Sequence, residues 1–188
     1  GSRARRLCDE CGALLMLDEV QSGMGRTGTF LACQGEGVTP DVVTLAKGLG
    51  GGTPLGAALA RGAANIFEPG DHGSTLGGNP LACAAGVATL RTMRDEGIVA
   101  HAADVGDYFA AQLRDLAARG VGVTEARGRG LMLAAEVDAE GGAVVAAARE
   151  RGVLLNSTGP TTIRIVPPLI LTRDDVDEAI HVLEGILG

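Results

Sequence analysis

The chain has 188 residues, with 16 basic and 23 acidic side chains and a formal net charge of −7. Apolar residues make up 46% and charged residues 21%, the balance of a globular chain able to bury a core. One Tyr, three Phe and no Trp leave neither the stacking platforms nor the basic field of a nucleic-acid binder, and no apolar run approaches the roughly 18 residues that cross a bilayer.

The residues Arg3 to Cys11 read as the end of a helix, with Gly12 in the left-handed C-terminal position. Ala13 to Leu17 is a continuous apolar run, the pattern of a strand buried on both faces of a parallel sheet, and it ends in Asp18-Glu19. A Gly-rich loop, Ser22 to Gly28, and a short helix follow. Asp41 to Ala46 is a second buried strand and Pro54 to Ala60 a third. A loop rich in Gly, Ser and Thr runs from Glu68 to Gly78. Asn79-Pro80 then opens a helix, Asn as N-cap and Pro at the first helical position. Two Ala-rich helices extend to Gly97 and from Ile98 to Arg119.

From Val123 the texture changes to short strands at 123–126, 131–137, 153–155 and 163–166, with helices at 143–151 and 173–187. Thr172, with Asp174 and Asp175 behind it, caps the last helix. The expected organisation is a parallel α/β piece over residues 1–95 and a smaller α+β piece over 96–188. Three strands make a poor doubly wound sheet, so the first piece is expected to be incomplete, the C-terminal portion of something longer. No apolar h-region follows Arg6 and the four cysteines are scattered, so no secretory leader is expected and the expected compartment is the cytosol.

Fifteen of the basic residues are Arg, and the only lysine is Lys47. Lys47 and Asp18 both fall at strand ends, where open α/β sheets bind ligands. A desolvated lysine is nucleophilic and forms Schiff bases. A carboxylate beside a pyridinium nitrogen keeps that ring protonated and electron-withdrawing, the requirement of pyridoxal phosphate chemistry. The structural alternative is that Asp18 caps a turn and Lys47 forms an ion pair. Other motifs carry less. Cys8-Asp-Glu-Cys11 has thiol or half-zinc spacing but no second pair, Gly48 to Gly52 follows its lysine in the reverse of P-loop order, and His72, His101 and His181 are too dispersed to hold a metal.

Leu15-Met-Leu-Asp18-Glu-Val-Gln21-Ser-Gly-Met-Gly-Arg26-Thr-Gly and Pro40-Asp-Val-Val-Thr-Leu-Ala-Lys47-Gly-Leu-Gly-Gly-Gly resemble the cofactor core of the class III, ornithine-type aminotransferases. His72-Gly-Ser74-Thr75-Leu-Gly-Gly-Asn79-Pro is similar to their next signature, and Gly128-Arg-Gly-Leu-Met132 and Thr158-Gly-Pro-Thr-Thr-Ile-Arg164-Ile-Val-Pro-Pro-Leu to their small domain. The likeness keeps order and spacing along essentially the whole chain. It implies a fold-type-I, pyridoxal-phosphate-dependent transferase, with an incomplete large-domain sheet in residues 1–95 and the small C-terminal domain in 96–188.

The resemblance also implies roles. Lys47 holds pyridoxal 5'-phosphate covalently and then shuttles a proton as base and acid. Asp18 pairs with the pyridinium nitrogen and Gln21 approaches the ring's phenolic oxygen. Ser74 and Thr75 belong to the phosphate site, Thr75 reaching the cofactor of a neighbouring subunit in a homodimer. Arg164 holds the substrate's α-carboxylate. The wording around Thr75 and Arg164 is nearest to the acetylornithine branch, which implies transfer of a terminal amino group from N-acetylornithine to 2-oxoglutarate in arginine biosynthesis. Ornithine, succinylornithine and 4-aminobutyrate are the alternative donors. The family's chain is about twice as long, so this chain alone is expected to be nearly inactive. The alternative of another class is a non-catalytic remnant serving as a dimerisation piece.

Overall fold

A computed structural model describes residues 2–188, which divide into two compact units, residues 2–99 and 100–188. In the first unit, α1 (Ser2–Cys11) ends at Gly12, whose φ of 64° is a left-handed value that suits glycine. There follow β1 (Met16–Asp18), α2 (Ala32–Gly35), β2 (Val42–Leu45), a 3-10 turn (Lys47–Gly50), β3 (Ala57–Ala60) and α3 (Pro80–Asp95). The Asn79 side chain accepts the Ala82 N–H at 2.9 Å, so α3 starts at the expected cap.

The sheet of this unit has the order β1-β2-β3. Strands β1 and β2 run parallel, with Asp18 opposite Thr44. Two expectations fail here. Strand β3 pairs with β2 antiparallel rather than parallel, because residues 46–56 contain only a 3-10 turn and no crossover helix. Burial on both faces is found only in β2; Leu14 is 51% and Met16 63% exposed, and every residue of β3 is exposed. An apolar run records what a strand can bury, not what covers it. Leu15 does bury, in a small cluster with Cys33 and Val38 under α1.

α4 (Ile98–Arg119) leads into the second unit, which holds β4 (Val123–Arg129), β5 (Met132–Val137), α5 (Gly141–Glu150), β6 (Asn156–Ser157), β7 (Thr162–Ile165) and α6 (Arg173–Leu187). Its antiparallel sheet has the order β4-β5-β7-β6. Leu133, Ala135, Ile163 and Ile165 face the core from the sheet, and Ala102, Val105, Phe109, Leu113 and Leu116 meet them from α4 at helical spacing. Val176, Ile180 and Leu183 of α6 and Val144 of α5 complete this two-layer arrangement. The strand expected at 153–155 lies instead at Asn156–Ser157, because the Val153 N–H bonds back to Ala148 O at 2.9 Å and closes the end of α5. Thr172 and Asp175 form the expected reciprocal cap of α6. Among the described residues no helix is long and apolar enough to cross a membrane.

Candidate functional site

Because β1 and β2 are parallel, their C-terminal ends open on the same edge of the sheet, and both candidate residues stand there. Asp18 ends β1. Its Oδ1 accepts the Val20 N–H at 2.9 Å and the Thr44 hydroxyl at 3.3 Å. Its Oδ2 carries no hydrogen bond among the described residues, and the side chain is exposed. The turn-capping alternative is thus satisfied by one oxygen while the other stays open to a ligand. Thr44, the single polar residue of β2, was absent from the sequence-derived set; its register opposite Asp18 is what gives it a role.

Lys47 opens the 3-10 turn two residues past β2 and makes no ion pair among the described residues. The expected apolar surround is not present; Lys47 is exposed. Its backbone is unusual, with φ +48°, a value matched in sign among the described non-glycine residues only by Met24 at +57°. A left-handed non-glycine residue costs on the order of 1 kcal/mol, and such positions gather at functional sites. The turn is secured by Leu49 N–H to Ala46 O at 3.0 Å and Gly51 N–H to Gly48 O at 3.1 Å. It rests on buried Met24, since a Cβ at Gly48 would lie 3.7 Å from the Met24 Cβ.

Gln21 is half-buried in the turn that leaves β1, and its amide makes no hydrogen bond among the described residues. That turn is closed by Gly23 N–H to Glu19 O at 2.9 Å. Only glycine fits at 23, where a Cβ would lie 2.7 Å from Leu45 Cδ2 and 2.8 Å from Glu19 O. Asp18, Gln21 and Lys47 therefore share one edge. An open carboxylate oxygen, an unpaired amide and a free amine are a donor and acceptor set that suits a protonated pyridine ring bearing an aldehyde and a phenolic oxygen.

Ser74 and Thr75 lie on the exposed loop before α3 and hydrogen-bond to none of these three. The Ser74 hydroxyl accepts the Gly77 N–H at 3.1 Å, and Asn79 Nδ2 donates to Leu76 O at 3.0 Å, so the loop has a defined turn that presents the Thr75 hydroxyl without an intramolecular partner.

Arg164 belongs to the second unit. It sits on the face of the sheet opposite the core, in a cross-strand row Arg127, Ala134, Arg164, Asn156. Small Ala134 leaves a cleft of about 310 Å³, lined also by Gly128, Thr158 and Thr162. Arg127 is neutralised by Glu136 at 2.6 Å, and that pairing, with the Thr162 hydroxyl at 2.9 Å, holds the Glu136 carboxyl below its usual range. Arg164 has no ion pair among the described residues, and its Nε is buried without a hydrogen-bond partner. A buried, unspent guanidinium donor is what a carboxylate ligand would satisfy.

The remaining motifs stay silent. The four cysteines are free, no group of His, Cys, Asp or Glu among the described residues could hold a metal, His101 bonds Leu171 O at 2.9 Å, and His72 packs edge-on against Phe67.

Comparison with known proteins gives a consistent picture. The sequence model of the family described as Aminotransferase class-III matches residues 2–187. The chain is 47% identical over 185 residues to the acetylornithine aminotransferase of Caldanaerobacter subterraneus subsp. tengcongensis, covering 98% of this chain and 47% of that protein. It is 52% identical to the acetylornithine aminotransferase of Gloeobacter violaceus, covering 99% and 47%. The crystal structure of the acetylornithine aminotransferase from Elizabethkingia anophelis superposes with a TM-score of 0.92 at 34% identity, covering 99% of this chain and 48% of that one. An ornithine aminotransferase structure from Toxoplasma gondii, described with partial occupancy of PLP at its active site, gives 0.92 at 37% identity, covering 99% and 45%. The chain spans about half the length of the relatives it matches.

Proposed function

The chain belongs to the class-III aminotransferases, and from that premise we propose that its residues serve a pyridoxal-phosphate-dependent transfer of the terminal amino group of N-acetylornithine to 2-oxoglutarate, a step of arginine biosynthesis. The observation that carries the reading is the pairing of Asp18, with one carboxylate oxygen open, and Lys47, the sole lysine, at adjoining ends of two parallel strands. Curated relatives that the chain matches support the choice of donor, since several carry the name acetylornithine aminotransferase.

When bound, pyridoxal phosphate supplies an electron sink that stabilises negative charge on the substrate carbon. The chain's residues do the rest. Asp18 would hold the ring nitrogen through its open carboxylate oxygen and keep it charged, while Val20 and Thr44 fix the carboxylate through the other oxygen. Gln21 donates its amide toward the phenolic oxygen. Lys47 Nζ would hold the cofactor's aldehyde group, and the same amine would take the proton from the substrate carbon and return it. Thr75 and Ser74 serve a phosphate, Thr75 that of a second subunit in a homodimer, and Arg164 clamps the α-carboxylate, which disfavours 4-aminobutyrate as donor. The compartment that suits this chemistry is the cytosol, and the two units correspond to large-domain and small-domain portions. The 188 residues alone are expected to turn over little, because rate falls steeply when positioning groups are missing.

Titrating the purified chain with pyridoxal phosphate, reducing with borohydride and mapping the peptides tests the reading. A reduced adduct on Lys47, with absorbance that acetylornithine bleaches and 4-aminobutyrate does not, is the expected result. Absence of an adduct at Lys47 overturns the cofactor reading for this chain.

A further inference from the structure

Beside Asp18 stands a carboxylate that touches no substrate and no charged partner. Glu19 is 3% exposed, the one buried charged side chain among the described residues. Burying a carboxylate is unfavourable unless each of its oxygens finds a donor. Glu19 meets that condition with backbone groups from far along the chain: Oε2 accepts the Ala32 N–H at 2.6 Å and Oε1 the Cys33 N–H at 2.8 Å. Burial, with the Glu19 carboxylate beside it, raises the pKa of the Cys33 thiol. These two N–H groups open α2, a helix of four residues whose own N-cap position is occupied by Leu31, which has no side-chain acceptor.

A serine or threonine at 31 would cap α2 locally, with no buried charge. The long-range carboxylate does something a local cap cannot: it fastens the far end of the 19–31 loop to the end of β1. Glu19 also uses its main chain fully. Its N–H donates to Thr44 O at 3.0 Å and its carbonyl accepts the Gly23 N–H at 2.9 Å. One residue thus ties together β2, the turn that carries Gln21 and the start of α2, immediately next to Asp18, and through the same Thr44 whose hydroxyl orients the Asp18 carboxylate.

The geometry points to Glu19 as a positioning residue that fixes Asp18 and Gln21 for the cofactor ring. This inference rests on the cofactor reading above. Glu19→Gln keeps the size and one acceptor but turns an NH2 group toward one of the two backbone N–H groups, so one bond is lost and two donors face each other. Two measurements on the purified chain decide it: hydrogen exchange of amides 20–23 without cofactor, and the pH profile and half-saturation of Schiff-base absorbance with pyridoxal phosphate. In Glu19→Gln the amides 20–23 are expected to exchange faster, half-saturation to rise roughly tenfold, and the pH profile to shift because the Asp18 contact to the ring is loosened. The double variant Glu19→Gln/Leu31→Thr separates capping from positioning. It should restore protection at residues 32–35 without restoring the pH profile. Recovery of the pH profile by the local cap, or exchange and profile unchanged in Glu19→Gln, overturns the inference. No adduct on Lys47 in the unsubstituted chain overturns the cofactor reading, and the inference with it, whereas an adduct with an unaltered Glu19→Gln profile overturns the inference alone.

Discussion

The Thr44 hydroxyl donates to Asp18 Oδ1 at 3.3 Å across two parallel strands, and Val20 N–H shares the same oxygen at 2.9 Å. The carboxylate is therefore turned by its neighbours before any ligand arrives. Thr44→Val keeps the side-chain shape and removes the donor. It is expected to weaken pyridoxal phosphate binding by a few-fold, the worth of one neutral hydrogen bond. Asp18→Asn, which loses the charge, is expected to weaken it by tenfold or more. Equal losses in titrations of the two variants would show that orientation matters as much as charge.

Lys47 at φ +48° carries a backbone cost that does not depend on its amine. Lys47→Ala leaves a Cβ in the left-handed region and Lys47→Gly removes it. Urea unfolding is expected to find Lys47→Gly more stable than Lys47→Ala by about 1 kcal/mol, although glycine is the more flexible in the unfolded chain. The reverse order would mean that the turn relaxes once the side chain is gone.

Gly106 of α4 meets the tight turn between β4 and β5 at closer range than any side chain allows. A Cβ at 106 would lie 2.3 Å from the carbonyl carbon and oxygen of Gly130 and 2.6 Å from its Cα. The obstacle is backbone, so no side chain can swing aside. Gly106→Ala is expected to destabilise the second unit by about 3 kcal/mol or more, read by denaturant unfolding of the purified chain.

Arg164 is expected to act on stability and on binding with opposite signs. Its Nε is buried without a partner, so Arg164→Met removes an unmet donor and is expected to raise stability by about 1 kcal/mol. Glutarate, a simple dicarboxylate, is expected to raise the thermal stability of the unsubstituted chain, and Arg164→Met is expected to abolish that rise. Stabilisation by glutarate that survives Arg164→Met would place the carboxylate elsewhere.

Asp41 links α1 to the sheet. It accepts from Arg5 at 2.6 Å and from the Leu15 N–H at 2.8 Å, and these contacts, Arg5 first, hold its carboxyl below the usual range. A carboxyl depressed in the folded state stabilises the fold above its unfolded pKa, and that contribution is lost as pH falls through the folded value. Asp41→Asn is therefore expected to be less stable than the unsubstituted chain at neutral pH, with the gap closing as pH drops below the ordinary carboxylate range. A gap independent of pH would assign the loss to geometry rather than charge.

Much of this was legible in the residues themselves. Asp18 and Lys47 announce their place because each ends an apolar run, and a run's end is a strand's end. The alternation Thr162-Ile163-Arg164-Ile165 correctly sends the two isoleucines into the core and Arg164 to the other face. Glu19 was not legible as a separate element. Its partners are main-chain N–H groups of Ala32 and Cys33, which leave no mark in a sequence. Nor was the direction of β3, since Ala57-Ala-Leu-Ala reads the same for either orientation. Leu14 and Met16 look like core residues by composition, and only the sheet's edge reveals that nothing in their own unit covers them.

The lone exposed lysine also governs how the protein can be handled. Reagents that seek side-chain amines, from activated esters on a sensor surface to aldehyde fixatives, find a single address in the whole sequence, Lys47. Immobilisation or labelling by that route tethers the molecule through its candidate reactive group, so such a preparation would mimic a dead site. The free thiol of exposed Cys11, at the end of α1, is an attachment point that leaves Lys47 untouched.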